Sequence, residues 1–210
     1  MALATLADLR TLIATTINRT DLTAYIDDFI SLARVDINAR FRVGSQESTA
    51  AVTMTAGSPY LALPTNFGEL RKFTYSAGTG DTRELTLAPF SPMPNSEASS
   101  ENGQPKNYAI VGDNFWLTPT PNAAYTGTVW FYLEVPEFDY TTPTDTNWLM
   151  TKYPNVYLYG SLLAALPKVG NDVRAPVWNS YYEAAISAIT KDDKAKRYSG
   201  VPRMRSAVFS

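Results

Sequence analysis

Asn147-Trp148-Leu149-Met150-Thr151-Lys152-Tyr153-Pro154-Asn155-Val156-Tyr157-Leu158-Tyr159-Gly160-Ser161-Leu162-Leu163-Ala164-Ala165-Leu166 decides the fold class. Pro154 suits the first turn of a helix, where its missing N–H costs nothing. From Tyr153 to Leu166 the apolar residues Val156, Tyr157, Leu158, Tyr159, Leu162, Leu163 and Leu166 surround the helix instead of forming a stripe. Such a helix is buried on all sides, or is buried on one side and meets a partner on the other. Pro167 and Gly170 close it. Ahead of it, from Ser45 to Asn147, helical periodicity is missing and Pro, Gly, Ser, Thr and Asn accumulate.

Helical texture also fills the amino-terminal end. Leu3, Leu6, Leu9, Ile13 and Ile17 recur at helical spacing over residues 3–17. Thr20-Asp21 can cap a second helix carrying Leu22, Tyr25, Phe29, Ile30, Ala33, Ile37 and Phe41, which Gly44 ends. The short Asn18–Asp21 link predicts an antiparallel pair. Asp172 can cap a last helix with Val173, Val177, Trp178, Tyr181, Ala185 and Ile189.

Between the helical ends, strands are expected at Ser48–Thr55, Tyr60–Leu63, Leu70–Ser76, Glu84–Leu87, Asn107–Val111, Phe115–Thr118 and Thr126–Val135. Ala56–Pro59 and Gly112–Asn114 read as hairpin turns, and Gly78-Thr79-Gly80 as a turn between two strands. The expectation is an α+β protein. A discontinuous helical bundle (1–44 and 148–198) carries an inserted antiparallel β-sandwich or barrel-like domain (45–147) and an extended tail (199–210).

Composition removes much chemistry. The 210 residues include no Cys and no His. Disulfides, thiolate or imidazole metal ligands and Ser-His-Asp arrangements are therefore out of reach. No P-loop and no Ser-x-x-Lys occurs. The acidic pairs Asp27-Asp28 and Asp192-Asp193 place neighbouring carboxylates about 100° apart on a helix, which builds no two-carboxylate site. Catalytic residues, metals and cofactors are expected to be none. Met1-Ala2-Leu3 starts no basic, apolar leader, so neither a signal peptide nor a membrane span is expected. The sequon Asn18-Arg19-Thr20 is read as chance.

Net charge is −2, unevenly placed. Residues 191–205 hold six cations against Asp192 and Asp193, a net of +4, which leaves −6 for the rest. A basic end on an acidic body fits nucleic acid or an acidic protein, or simply a solvated helix terminus. Tyr140, Trp148, Tyr153, Tyr157 and Tyr159 crowd one stretch. They suit core and subunit contacts, with Trp148, Tyr153, Tyr157, Tyr159 and Trp178 as interface candidates. The alternative is a stacking platform, which would make the β region a carbohydrate- or receptor-binding tail module.

Motif order then adds a resemblance. Gly103-Gln104-Pro105-Lys106-Asn107-Tyr108 is followed by Leu117-Thr118-Pro119-Thr120-Pro121, the Tyr-rich strand from Tyr125, and Asn147-Trp148-Leu149 leading into Tyr153-Pro154-Asn155-Val156-Tyr157-Leu158-Tyr159-Gly160. This order resembles the head–tail adaptor (connector) family of tailed bacteriophages. It is more distantly similar to tail tubular protein A of short-tailed phages. The resemblance implies a structural virion protein, made in the host cytoplasm, and not an enzyme. It implies a homo-oligomeric, dodecameric ring joining the portal protein at the capsid vertex to a nozzle or other tail protein. Double-stranded DNA would pass through the lumen without sequence specificity during genome ejection. The tail would dock on the portal through Val201, Arg203, Met204, Arg205, Val208 and Phe209.

Overall fold

Asn147 organises the helical end of the chain. Its side-chain oxygen accepts from the N–H groups of Leu149 (3.1 Å) and Met150 (2.9 Å), capping the short helix α3, Trp148–Lys152. Its amide donates to the Tyr157 hydroxyl at 2.9 Å. In the computed structural model, which describes residues 3–78, 80–89, 102–170 and 172–197, the chain divides into two units. One comprises residues 1–45 and 135–210, the other residues 46–134.

The first unit is helical. Besides α3 it holds α1 (Leu6–Ile17), α2 (Ile26–Arg40), α4 (Pro154–Val169) and α5 (Ala175–Arg197). Thr5 and Asp8 close a capping box on α1, and Asn18 ends it in the left-handed region at φ 54°. The apolar stripe of α1 is buried as its spacing requires: Leu6, Leu9, Ile13 and Ile17 all face the core. Helix α2 starts later than the sequence suggests. Residues Thr20–Tyr25 form a 3₁₀ turn, pinned by Thr23 Oγ1 donating to the Thr20 carbonyl at 3.0 Å. Tyr25 is turned out of the core, with the Lys168 ammonium 3.5 Å from its ring centre.

Helix α4 packs against α1, α2, α3 and α5 at once, which accounts for its all-round apolar surface. Gly160 makes this possible. A Cβ there would stand 3.1 Å from Ala33 Cβ on α2 and 3.1 Å from Tyr182 Cε2 on α5.

Residues 135–147 belong with the helices, although the sequence reading assigned them to the β domain. Val135 and Phe138 are buried in the helical core, and Phe138 packs on Tyr157 at 5.0 Å. The Asp145 and Pro143 carbonyls accept from the Leu6 and Ala7 N–H groups at 3.0 and 2.9 Å. They thereby satisfy helix-start donors that have no partner within α1.

The second unit is a sandwich of two four-stranded sheets. The strands are β1 (Glu47–Met54), β2 (Tyr60–Ala62), β3 (Phe67–Gly78), β4 (Asp81–Glu84), β5 (Thr86–Leu87), β6 (Asn107–Val111), β7 (Asn114–Thr118) and β8 (Tyr125–Leu133). Sheet orders are β1-β8-β3-β4 and β2-β7-β6-β5. Pairing is antiparallel except β5 with β6. Met54, Phe73, Tyr75, Phe115, Leu117, Val129 and Phe131 fill the space between the sheets.

Two turns differ from expectation. Ala56–Pro59 turns with Gly57 at φ 77°, but it is no hairpin. β1 pairs along its whole length with β8, so the chain crosses to the other sheet at β2. The strand expected at Glu84–Leu87 splits at buried Leu85, where the chain again changes sheets. Gly112 and Gly80, at φ 57° and 80°, do close the β6–β7 and β3–β4 hairpins. The α+β class stands.

Candidate assembly surfaces

A helix buried on every side still leaves its ends and gaps to solvent. On α4, Tyr159 and Leu163 are only half-buried. The Tyr159 ring lies 5.2 Å from that of Tyr181 on α5, itself 53% exposed. A groove of about 220 Å³ is lined by Leu32, Ala33, Asp36, Gly160, Leu163 and Ala164. Leu32 is 57% exposed, and Val35 and Val177 are exposed as well. Arg40 at the groove binds Asp36 at 2.6 Å and Glu183 at 2.7 Å, with its guanidinium 5.1 Å from the Tyr182 ring. The Tyr182 hydroxyl donates to Asp36 at 2.7 Å. Burial pushes the Tyr182 hydroxyl pKa up, and its bond to Asp36 adds to the shift. Exposed apolar side chains beside charges already paired within the chain suit a surface that another protein covers.

The residues singled out in the sequence divide into three groups. Tyr157 and Trp178 are buried within the chain itself. Tyr157 is held by Asn147, and Trp178 lies under the Arg174 guanidinium at 4.9 Å. A side chain without exposed area has none to offer a second copy, so these two are core residues. Trp148, Tyr153 and Tyr159 keep partial exposure. Val201, Arg203, Met204, Arg205, Val208 and Phe209 lie outside the described residues. Leu32, Val35, Val177 and Tyr181 were not singled out as interface residues. For the first two the signal was present: Ile30-Ser31-Leu32-Ala33-Arg34-Val35-Asp36-Ile37 holds more apolar residues than one buried stripe needs.

The end of α5 is a charged latch. The Tyr153 hydroxyl donates to Asp192, which also takes the Lys196 ammonium at 2.5 Å. Asp193 accepts the Gly44 N–H at 2.6 Å and pairs with Arg197 at 2.8 Å. Two of the six cations, Lys196 and Arg197, thus pair with the acids of the same helix end. Asp192 and then burial push the Tyr153 pKa up to about 12. Lys196 and Tyr153 together pull Asp192 below the usual carboxylate range. A tyrosine raised in the folded state supports folding fully below its unfolded value of about 10 and loses that support as pH climbs through the folded value. A Tyr153→Phe protein is therefore expected to lose less stability than the unsubstituted chain between pH 10 and about 12, read from urea midpoints across that window. Identical slopes in the two proteins would remove Tyr153 from the latch.

Asp27 is gripped by both forks of Arg10 at 2.7 Å, so the first acidic pair is no open carboxylate site. Among the described residues no group of three or more acidic side chains could hold a metal ion. On the second unit, a recess of about 700 Å³ is lined by Glu47, Ser48, Thr49, Arg71, Lys72 and Trp130. Its cations are paired, Arg71 with Glu47 and Lys72 with Glu84 at 3.4 Å. No described helix is long and apolar enough to cross a membrane.

The motif residues serve packing. Pro105 offers its carbonyl to the buried Tyr75 hydroxyl at 2.8 Å, and the Pro121 carbonyl accepts from Gly57 at 2.8 Å. A family model described as SU10 adaptor protein matches residues 4–206, spanning both units. The chain belongs to the SU10 adaptor protein family. This is a family of phage head–tail adaptors, and its members are structural components of the virion. A search of curated proteins returns no match. In an SU10 adaptor the paired charges and apolar helix surface described above belong to a protein built for assembly with other phage proteins.

Proposed function

We propose that this adaptor forms a homo-oligomeric ring, dodecameric as in the related head–tail connectors, between the portal at the capsid vertex and the nozzle or another tail protein. The ring extends the DNA channel used for genome retention and ejection. The observation that carries this reading is the family match over residues 4–206, together with an exposed apolar surface on α2, α4 and α5. Cyclic assembly needs two different contact faces on each subunit. Half-exposed Trp148, Tyr153 and Tyr159 are offered as interface residues with Leu32 and Tyr181. The net charge of −6 outside residues 191–205 suits a conduit, since a strongly basic lumen would hold the phosphates of DNA that has to slide.

Residues 199–210 are the proposed portal anchor. Val201, Met204, Val208 and Phe209 would fill pockets, while Arg203 and Arg205 would meet carboxylates. Each tail contributes little alone, but copies linked in a ring bind with avidity. Deleting Ser199–Ser210 is expected to abolish co-sedimentation with purified portal rings while leaving the circular dichroism spectrum unchanged. Binding at undiminished affinity would end the anchor reading.

A further inference from the structure

After Ile189, α5 buries no further apolar side chain among the described residues, yet it runs on for about two turns to Arg197. The contacts that hold those turns are polar. Asp192 and Asp193 stand about 100° apart on the helix, so one reaches the Tyr153 hydroxyl and the other the backbone of Gly44. A cation one turn further on fixes each carboxylate, Lys196 at 2.5 Å and Arg197 at 2.8 Å. Asp193 is the better sheltered, its side chain 15% exposed against 42% for Asp192. A recess of about 380 Å³, lined in part by Val43, Ser45, Lys152 and Ile189, lies beside these contacts, so the helix end bridges the body more than it packs on it.

Gly44 is fitted to this contact. Its φ is not in the left-handed region, so backbone conformation does not demand glycine there. A Cβ would stand 2.9 Å from Asp193 Oδ1 and 3.6 Å from Arg197 Nη2. Gly44 also starts the 3₁₀ turn Gly44–Gln46, which runs directly into β1. At the other end of that turn, fully buried Gln46 donates to the Leu133 carbonyl at 3.0 Å. The connector from α2 to β1 is thus pinned at Gln46 by a buried contact and at Gly44 by the polar end of α5. We infer that the last two turns of α5 are a releasable strap on this connector, and that the chain following Arg197 controls it. Segments with few buried apolar contacts open locally at a free energy below that of global unfolding. Residue 198 follows the strap directly, so a partner that grips the tail and draws Asp193 off Gly44 frees the connector. The coupling is reciprocal, and loosening the connector loosens the strap by the same factor. The strap rests on these contacts alone, whereas the tail as its trigger rests on the anchor reading above.

Amide hydrogen exchange of the full chain, read by mass spectrometry of its peptides, tests both. Asp193→Ala is expected to speed exchange at residues 41–46 and 190–197 by at least about tenfold, the effect of losing a hydrogen bond to a charged group. Residues 29–37 and 178–186 should keep their rates. Gly44→Ala should act in the same way from the other side, because its Cβ meets the Asp193 carboxylate. The double variant should exchange no faster than either single one, since both remove one shared contact. Lys194→Ala is the control: this exposed side chain takes no part in the strap, and both segments should stay unchanged. Purified portal rings should speed exchange at 41–46 in the unsubstituted chain and leave a chain lacking 199–210 unaffected. Unchanged exchange at 41–46 in Asp193→Ala, an equal rise in Lys194→Ala, or a rise spread evenly along α2 and α5 overturns the strap. Portal rings that co-sediment with the chain yet leave 41–46 unchanged overturn the trigger. Portal rings that fail to co-sediment overturn the anchor reading and the trigger with it, while the variants still decide the strap.

Discussion

A Leu32→Asp, Tyr181→Asp protein is expected to fold normally and form no rings, alone or with portal, in negative-stain images. Both side chains are more than half exposed in the isolated subunit. Replacing such residues moves folding stability by no more than about 0.5 kcal/mol, because the new carboxylates remain in water. In an assembled ring the same positions would be covered. An unpaired carboxylate stripped of water costs several kcal/mol, and no spare cation stands in the groove, since Arg40 is already shared by Asp36 and Glu183. The penalty recurs at every joint, so a modest loss per contact removes the closed ring altogether. Melting temperatures within a few degrees of the unsubstituted chain would show that assembly alone was lost. Rings at normal yield would place the subunit contact elsewhere and would leave the apolar groove without the role given to it.

What was legible in the sequence follows the physics of each signal. α1 and the buried face of α2 were readable because a single buried stripe imposes a 3.6-residue period. β6 was readable to its ends because the Gly112 turn fixes the hairpin register. The fate of residues 135–147 was not readable. Pro136, Pro143 and scattered polar residues carry no period, and only tertiary contacts of Val135, Phe138 and the Pro143 carbonyl attach them to the helices. The 3₁₀ turn at Thr20–Tyr25 was hidden for a related reason, since Leu22 and Ile26 are spaced as an α-helix would space them. Among the aromatic residues the sequence singled out, crowding alone did not separate the buried Tyr157 and Trp178 from the part-exposed Trp148, Tyr153 and Tyr159. Tyr157 and Tyr159 are two positions apart and look alike in sequence. One is locked to Asn147 inside the core, and the other packs at a tilt against Tyr181 and keeps partial exposure. The shared motif, from Asn147 through Pro154 and Tyr157 to Gly160, describes how α3 and α4 pack and does not itself mark a binding site.

Gly160→Val tests that packing at its tightest point. In an exposed helix, replacing glycine by a residue with a Cβ adds up to about 1 kcal/mol of stability by restricting the unfolded chain. Here the Cβ alone would come within 3.1 Å of both Ala33 and Tyr182, and the two γ-methyl groups of valine have no space prepared for them. Ala33 cannot swing aside, because its only side-chain atom is the methyl in contact. Tyr182 is held by its hydroxyl on Asp36 and by Arg40 over its ring, so moving it breaks a part-buried hydrogen bond. Overpacking of this kind costs about 1–3 kcal/mol, and the displaced tyrosine brings the expected loss to about 3 kcal/mol, measured from urea unfolding followed by circular dichroism at the helical band. The adjacent position should respond in the opposite sense. Ser161 Oγ is buried without a hydrogen-bond partner, so Ser161→Ala removes an unsatisfied polar atom and is expected to add about 1 kcal/mol. Opposite shifts at two neighbouring residues would exclude a general sensitivity of α4 to substitution. An unchanged midpoint for Gly160→Val would mean that α2 and α5 do not close on α4 at that glycine.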